Sequence, residues 1–152
     1  MVCVIGDGFA SMTALLLASQ SAGRVVLINL SKTLLVDLWY LRLWMGPEIF
    51  EKSVDLVSDE SGLNHAMKIE PSKCGMGRII AIQAAHHELL QKCPVDLAIN
   101  IASMQEMDPP IIEAYFRDLR AISKRRELFF YSCNREEKIL PDGTVTRFQN
   151  IP

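Results

Sequence analysis

Short apolar runs alternate with helical stretches along most of the chain. Val2 to Ile5 is rich in branched residues and meets Gly6 at once, the pattern of a strand buried on both faces. Ser11 to Gln20 carries Met12, Leu15, Leu16 and Leu17 as a helix that Gly23 stops. Val25 to Leu30 repeats the buried-strand pattern. Ser31 is placed to cap a second helix, whose Leu34, Leu35, Leu38, Trp39, Leu41 and Leu43 cover a wide face before Gly46 and Pro47. Pro47 to Met67 reads as a broken helix, with Ile49, Phe50, Val54 and Val57 at helical spacing and Ser61-Gly62 as the interruption.

The loop-like stretch Glu70 to Gly77 leads into a third strand, Ile79 to Ile82. A short helix over His86 to Lys92 ends before Pro94, and Val95 to Ile101 reads as a fourth buried strand. After a loop at Ala102 to Met107, Asp108 followed by Pro109 and Pro110 marks a capped helix start. Ile112, Tyr115, Phe116, Leu119 and Ile122 then face one side. Leu128 to Cys133 is a fifth strand, and Pro141-Asp142-Gly143 is a hairpin turn between Lys138 to Leu140 and Thr144 to Phe148.

Strands that alternate with helices imply a mostly parallel sheet joined by right-handed crossovers, with helices on both faces. The expected fold is a Rossmann-like three-layer α/β sandwich ending in a C-terminal hairpin. Ligands of such sheets bind outside the carboxyl ends of the strands, so the residues just after each strand are where function is sought.

Composition narrows the class. A chain of 152 residues with 49% apolar and 22% charged residues is expected to form a single globular domain. A formal charge of −2 gives no field for nucleic-acid phosphates, and the one tight basic run, Lys124 to Arg126, reads as solvated charge at a helix end. Cys3, Cys74, Cys93 and Cys133 show no CxxC spacing and read as buried free thiols in a reducing cytosol. The longest apolar stretch, near Leu34 to Trp44, is broken by Asp37 and Arg42 too early to span a bilayer. With no basic–apolar–small leader at Met1, a cytoplasmic protein is expected.

The turn Gly6-Asp7-Gly8-Phe9-Ala10-Ser11 after the first strand lets backbone approach a ligand closely at a helix start. A dinucleotide fingerprint asks for a third glycine at Ser11 and an acid at the end of the second strand, where this chain has Asn29. His86, His87 and Glu106 lie near strand ends and are candidate bases, histidine by its unperturbed pKa of ~6.5. Adjacent histidines point apart on a helix, so no metal site is expected. Trp39, Tyr40 and Trp44 can stack on a sugar, although their helical spacing favours core packing.

Four segments together resemble class I S-adenosylmethionine-dependent methyltransferases, and more closely the sugar O-methyltransferase group. Residues 2–10 resemble the first cofactor motif, and Val25 to Leu30 followed by Ser31 to Leu35 the second-strand region. Asp96 to Met107 resembles the fourth strand and its loop, and Tyr131 to Lys138 the asparagine–arginine–glutamate segment after the fifth strand. The last two are the more specific. Val4 and Asn29 stand where such enzymes usually carry acids, and Ala10 where they often carry glycine. Gln83 stands in place of the acid that meets the adenine amine.

The resemblance implies methyl transfer from S-adenosylmethionine to a sugar hydroxyl. It implies that Gly6, Asp7 and Gly8 meet the methionine end, Asn29 and Leu30 the ribose, and Gln83 the adenine, with Asn100 beside them. His87, Glu106 or His86 then serves as base. The family usually has further sequence around this core, which implies a fragment or a minimal form. A homo-oligomer is compatible with this reading. Two other readings stay open: a nicotinamide-dependent oxidoreductase, and a non-catalytic binding module that kept the fold.

Overall fold

The computed structural model describes residues 1–70, 77–139 and 143–147. Six parallel strands form one sheet: β1 (Val2–Ile5), β2 (Arg24–Asn29), β3 (Val54–Val57), β4 (Arg78–Gln83), β5 (Leu97–Ile101) and β6 (Phe129–Cys133). Their order is β3-β4-β2-β1-β5-β6, so β2 to β4 lie on one side of β1, with β4 inserted between β2 and the edge strand β3, and β5 and β6 lie on the other. A crevice at the carboxyl ends follows from that change of side. Each of β1, β2 and β4 is buried along almost its full length, as expected for branched runs covered on both faces.

Helices fill both outer layers. On one face α1 (Ser11–Ala18) and α2 (Ser31–Met45) contribute Leu17, Leu34, Leu41 and Met45 to a core with Val4, Val25 and Leu27. On the other, α4 (Glu60–Lys68), a 3₁₀ segment (Ala84–Lys92) and α5 (Pro109–Ser123) contribute Leu63, Leu90, Ile112, Tyr115 and Leu119 against Cys3, Ile5 and Ile28. The α/β sandwich expected from the sequence is the fold observed. The hairpin strands β7 (Glu137–Ile139) and β8 (Val145–Arg147) pair antiparallel as a separate ribbon. Residues 140–142 of the expected turn and 71–76 of the expected loop lie outside the described residues.

Several local expectations are corrected. The broken helix over Pro47 to Met67 is a short helix, α3 (Pro47–Ser53), then strand β3, then α4. Val54-Asp55-Leu56-Val57 becomes a strand because β4 pairs with it residue by residue, and Arg78 holds Asp55 at 2.5 Å across that edge. Ser61-Gly62 is no interruption: the Asp59 carboxylate accepts from the Gly62 amide at 2.7 Å and caps α4. Neither Ser31 nor Asp108 caps its helix through its side chain. The segment over His86 to Lys92 is 3₁₀ rather than α, with His86 itself outside helical geometry.

Trp39, Tyr40 and Trp44 are not core residues; they are 56%, 41% and 43% exposed. The apolar face of α2 is wider than the stripe a helix can press on a sheet, and that stripe is taken by Leu34, Asp37, Leu41 and Met45. Cys3 and Cys93 are buried free thiols, as expected, and burial pushes their pKa values up; Cys133 is exposed on edge strand β6 instead of buried, and Cys74 lies outside the described residues. Lys124 to Arg126 are exposed, as expected, with Arg126 paired to Asp96. Among the described residues no helix is long and apolar enough to cross a membrane.

Candidate functional site

A cavity of about 430 Å³ opens at the carboxyl ends of β1, β2, β4 and β5, where the strand order reverses. Its size is that of a small-molecule pocket. Gly6 and Gly8 form one wall, Asn29 and Leu30 another, and Ala102 to Met107 with Tyr115 a third.

Backbone strain is concentrated here. Phe9, Ala10 and Ala102 hold positive φ of 60°, 53° and 60° although none is glycine, and such conformers persist only where their surroundings impose them. At Gly6, with φ +70°, a Cβ would overlap the Ser103 hydroxyl and lie 2.5 Å from the Ser103 Cβ. At Gly8, with φ +56°, a Cβ would meet nothing within 4 Å, so the turn leaves open space over its backbone.

Two carboxylates organise the turn. Asp7 accepts from the Met12 and Thr13 amides at 2.8 and 2.7 Å, closing the amino end of α1. Asp37, fully buried on α2, accepts from the Ala10 amide at 3.0 Å and from Asn29 Nδ2 at 2.8 Å, with a further backbone bond from Phe9. Burial pushes the Asp37 pKa up, opposed by those bonds. The Asn29 carbonyl oxygen accepts from the Leu30 amide at 2.9 Å, so Asn29 ties the end of β2 to the glycine turn through Asp37. Substituting Asp7→Ala frees two amides of α1 and is expected to lower stability by about 1–2 kcal/mol, read from the urea midpoint at constant slope.

A second network fixes the opposite wall. Asn100 is fully buried and donates to the Ile5 carbonyl at 2.8 Å and to Ser103 Oγ at 2.5 Å. Its own oxygen accepts from the Met104 amide and from Asn134 Nδ2. Gln105 Oε1 accepts from the Arg135 amide at 2.9 Å, so the segments after β5 and β6 are bonded to each other beside the cavity.

The sequence-derived candidates thus divide. Gly6, Gly8, Asn29, Leu30 and Glu106 line the cavity. Asp7 lines a neighbouring hollow of about 120 Å³ with Ser11 and Met12. Asn100 stands behind the wall and positions its loop. Gln83 accepts from Ser31 Oγ at 3.2 Å, and the adjacent Ala84 is the residue in the wall. His87 is one ring removed: its Nδ1 lies 2.5 Å from the buried Asp118, and its ring packs 5.4 Å from that of Tyr115. His86 is half-buried and lies outside the lining residues.

Two residues escaped sequence reasoning. Asp108 lines the cavity instead of capping α5. Asp37 shares a helical face with Leu34 and Leu41, and that spacing is the signal that could have marked it as buried. Among the described residues the cavity wall contains Glu106 and Asp108 but no lysine, arginine or histidine. Among the described residues no three metal-ligating side chains cluster.

Fold and cleft define an open α/β fold with a cavity of small-molecule size at its strand ends. No family model matches the chain, and no curated protein or solved structure matches it.

Proposed function

We propose that the cleft binds S-adenosylmethionine and that the domain transfers its methyl group to a sugar hydroxyl. The observation that carries this reading is the sign of the charge around the glycine turn. A dinucleotide places its pyrophosphate on free amides at a helix start, usually with cations near. Here Asp7 takes two of those amides and Asp37 takes two more, and among the described residues Asp108 adds a further carboxylate to the cavity wall. S-adenosylmethionine, with an ammonium and a sulfonium against a single carboxylate and no phosphate, is net positive and matches that field better than NAD(P), whose pyrophosphate opposes it.

The residues present fit such a cofactor. The open space over Gly8 admits close approach, and Asn29 and Leu30 border the end of β2 where a ribose lies in this class of fold. When bound, the cofactor supplies an electrophilic methyl on sulfur. Tyr115, Met107 and Ile111 give the cleft an apolar side, and Glu106 accepts the proton that the acceptor hydroxyl loses. His87 and Asp118 brace Tyr115 from behind. The sugar acceptor rests on the resemblance of residues 96–107 and 131–138.

Labelled methyl transfer to a panel of sugars, read by mass spectrometry, tests the proposal. A methylated sugar is expected, with Glu106→Gln slowing transfer about a hundredfold or more and changing cofactor affinity far less. No labelled sugar, or an unchanged rate in Glu106→Gln, overturns it.

A further inference from the structure

Tyr115 is only 2% exposed on α5, yet it lines the cleft, and its hydroxyl has no hydrogen-bond partner among the described residues. A buried tyrosine usually turns its hydroxyl to a partner. The ring is held in place from behind. Asp118, fully buried three residues further along α5, accepts from Gln91 Nε2 at 2.7 Å and lies 2.5 Å from His87 Nδ1, and the His87 ring packs 5.4 Å from that of Tyr115. Burial, with Cys3 and Asp118 adding to it, pushes the Tyr115 pKa up, so the phenol stays a protonated donor. The result is one fixed, unpaired donor in an otherwise apolar part of the wall beside Ile28 and Ala84.

Topology says which part of a nucleoside meets that donor. His87 belongs to the 3₁₀ segment that leaves β4, and the first residue of that segment, Ala84, is in the cavity wall, so Tyr115 stands at the β4 end of the cleft. In open sheets of this kind the ribose lies at the end of the second strand, here beside Asn29 and Leu30, and β4 is the next strand outward from β2. A base attached to that ribose then reaches the slot of Ile28, Ala84 and Tyr115. Gln83, the residue expected there from the sequence, is outside the wall and accepts from Ser31 instead. We propose that the Tyr115 hydroxyl donates a hydrogen bond to a ring nitrogen of the cofactor's adenine and thereby selects the base. This rests on the S-adenosylmethionine reading above. A ligand without the matching acceptor leaves a buried donor unpaired, which is how such a site discriminates.

Calorimetric titration of the full chain and of Tyr115→Phe with S-adenosylhomocysteine, and with its analogues carrying carbon in place of purine N1, N3 or N7, tests the proposal. Wild type is expected to bind one of these analogues about tenfold more weakly than the parent. Tyr115→Phe is expected to bind the parent about tenfold more weakly and that analogue with no further loss. Phenylalanine keeps the ring and its contact with His87, so the far-ultraviolet circular dichroism is expected to stay that of wild type. Unchanged affinity of Tyr115→Phe for the parent, equal sensitivity of both proteins to every analogue, or no weaker analogue on wild type overturns the proposal while the cofactor reading stands. No saturable heat with S-adenosylhomocysteine on wild type overturns both.

Discussion

Replacing Asp37 with alanine is expected to destabilise the domain by about 2–4 kcal/mol and to abolish the proposed binding of S-adenosylmethionine. The carboxylate is fully buried, and its removal orphans the Ala10 and Phe9 amides and Asn29 Nδ2 at once. Each unpaired buried donor costs about 1–3 kcal/mol, partly offset because a carboxylate no longer has to be desolvated. The effect on binding follows from position: Phe9 and Ala10 hold positive φ only while something fixes them, and Asp37 bonds both amides. Asp37→Asn is expected to lose less. Its amide can serve one side as an acceptor but turns a donor to the other, and Asn29 can answer only by releasing the Leu30 amide.

The same residue gives a pH signature with a definite sign. Asp37 titrates above its unfolded value in the native state, so folding favours its protonated form. Its contribution is therefore greatest below the unfolded pKa of ~3.9 and declines as pH rises through the elevated native value. Asp96 acts in the opposite sense, because the Met1 ammonium and Arg126 hold its pKa down, and its contribution is lost as pH falls. Urea midpoints of wild type and Asp37→Asn across this range are expected to diverge, with the variant lacking the decline. Parallel curves would remove Asp37 as the source.

Gly6→Ala is the second large effect. An alanine at φ +70° costs about 1–2 kcal/mol in backbone strain, and forcing its Cβ against Ser103 adds about 1–3 kcal/mol. Ser103 has little room to yield, since its hydroxyl donates to the Ile5 carbonyl at 3.0 Å and accepts from Asn100. The substitution is expected to shift the 102–106 loop into the cleft and to weaken cofactor binding more than tenfold. Pairing it with Ser103→Gly removes the overlap but not the strain. The double variant should then recover about half the lost stability, and additive losses would contradict the steric account.

Three of the strands legible in the sequence share one trait. Val2 to Ile5, Val25 to Ile28 and Ile79 to Ile82 are uncharged runs dominated by branched apolar residues, and burial on both faces leaves no other place for them. β3 lacked it: Val54-Asp55-Leu56-Val57 contains a charge and follows α3 without a turn residue, so only pairing with β4 and the Arg78 partner make it a strand. The glycine turn was legible because backbone approach demands glycine at a strand end. Asp37 was not, because a lone acid in an apolar helix resembles a solvated position until its neighbours on the buried face are compared. The aromatic residues of α2 misled for the opposite reason, since helical spacing identifies a face without saying what covers it. For the two polar segments after β5 and β6, the sequence pointed to resemblance, and the structure adds that Asn100, Gln105 and Asn134 join them.

Calorimetric titration of the full chain tests the central claim, that an acidic cleft at the glycine turn takes S-adenosylmethionine. Saturable heat at one site is expected with S-adenosylmethionine and S-adenosylhomocysteine, lost in Asp37→Ala, and no heat is expected with NAD or NADP. Silence at millimolar S-adenosylmethionine, or saturable binding of NADP instead, would contradict it.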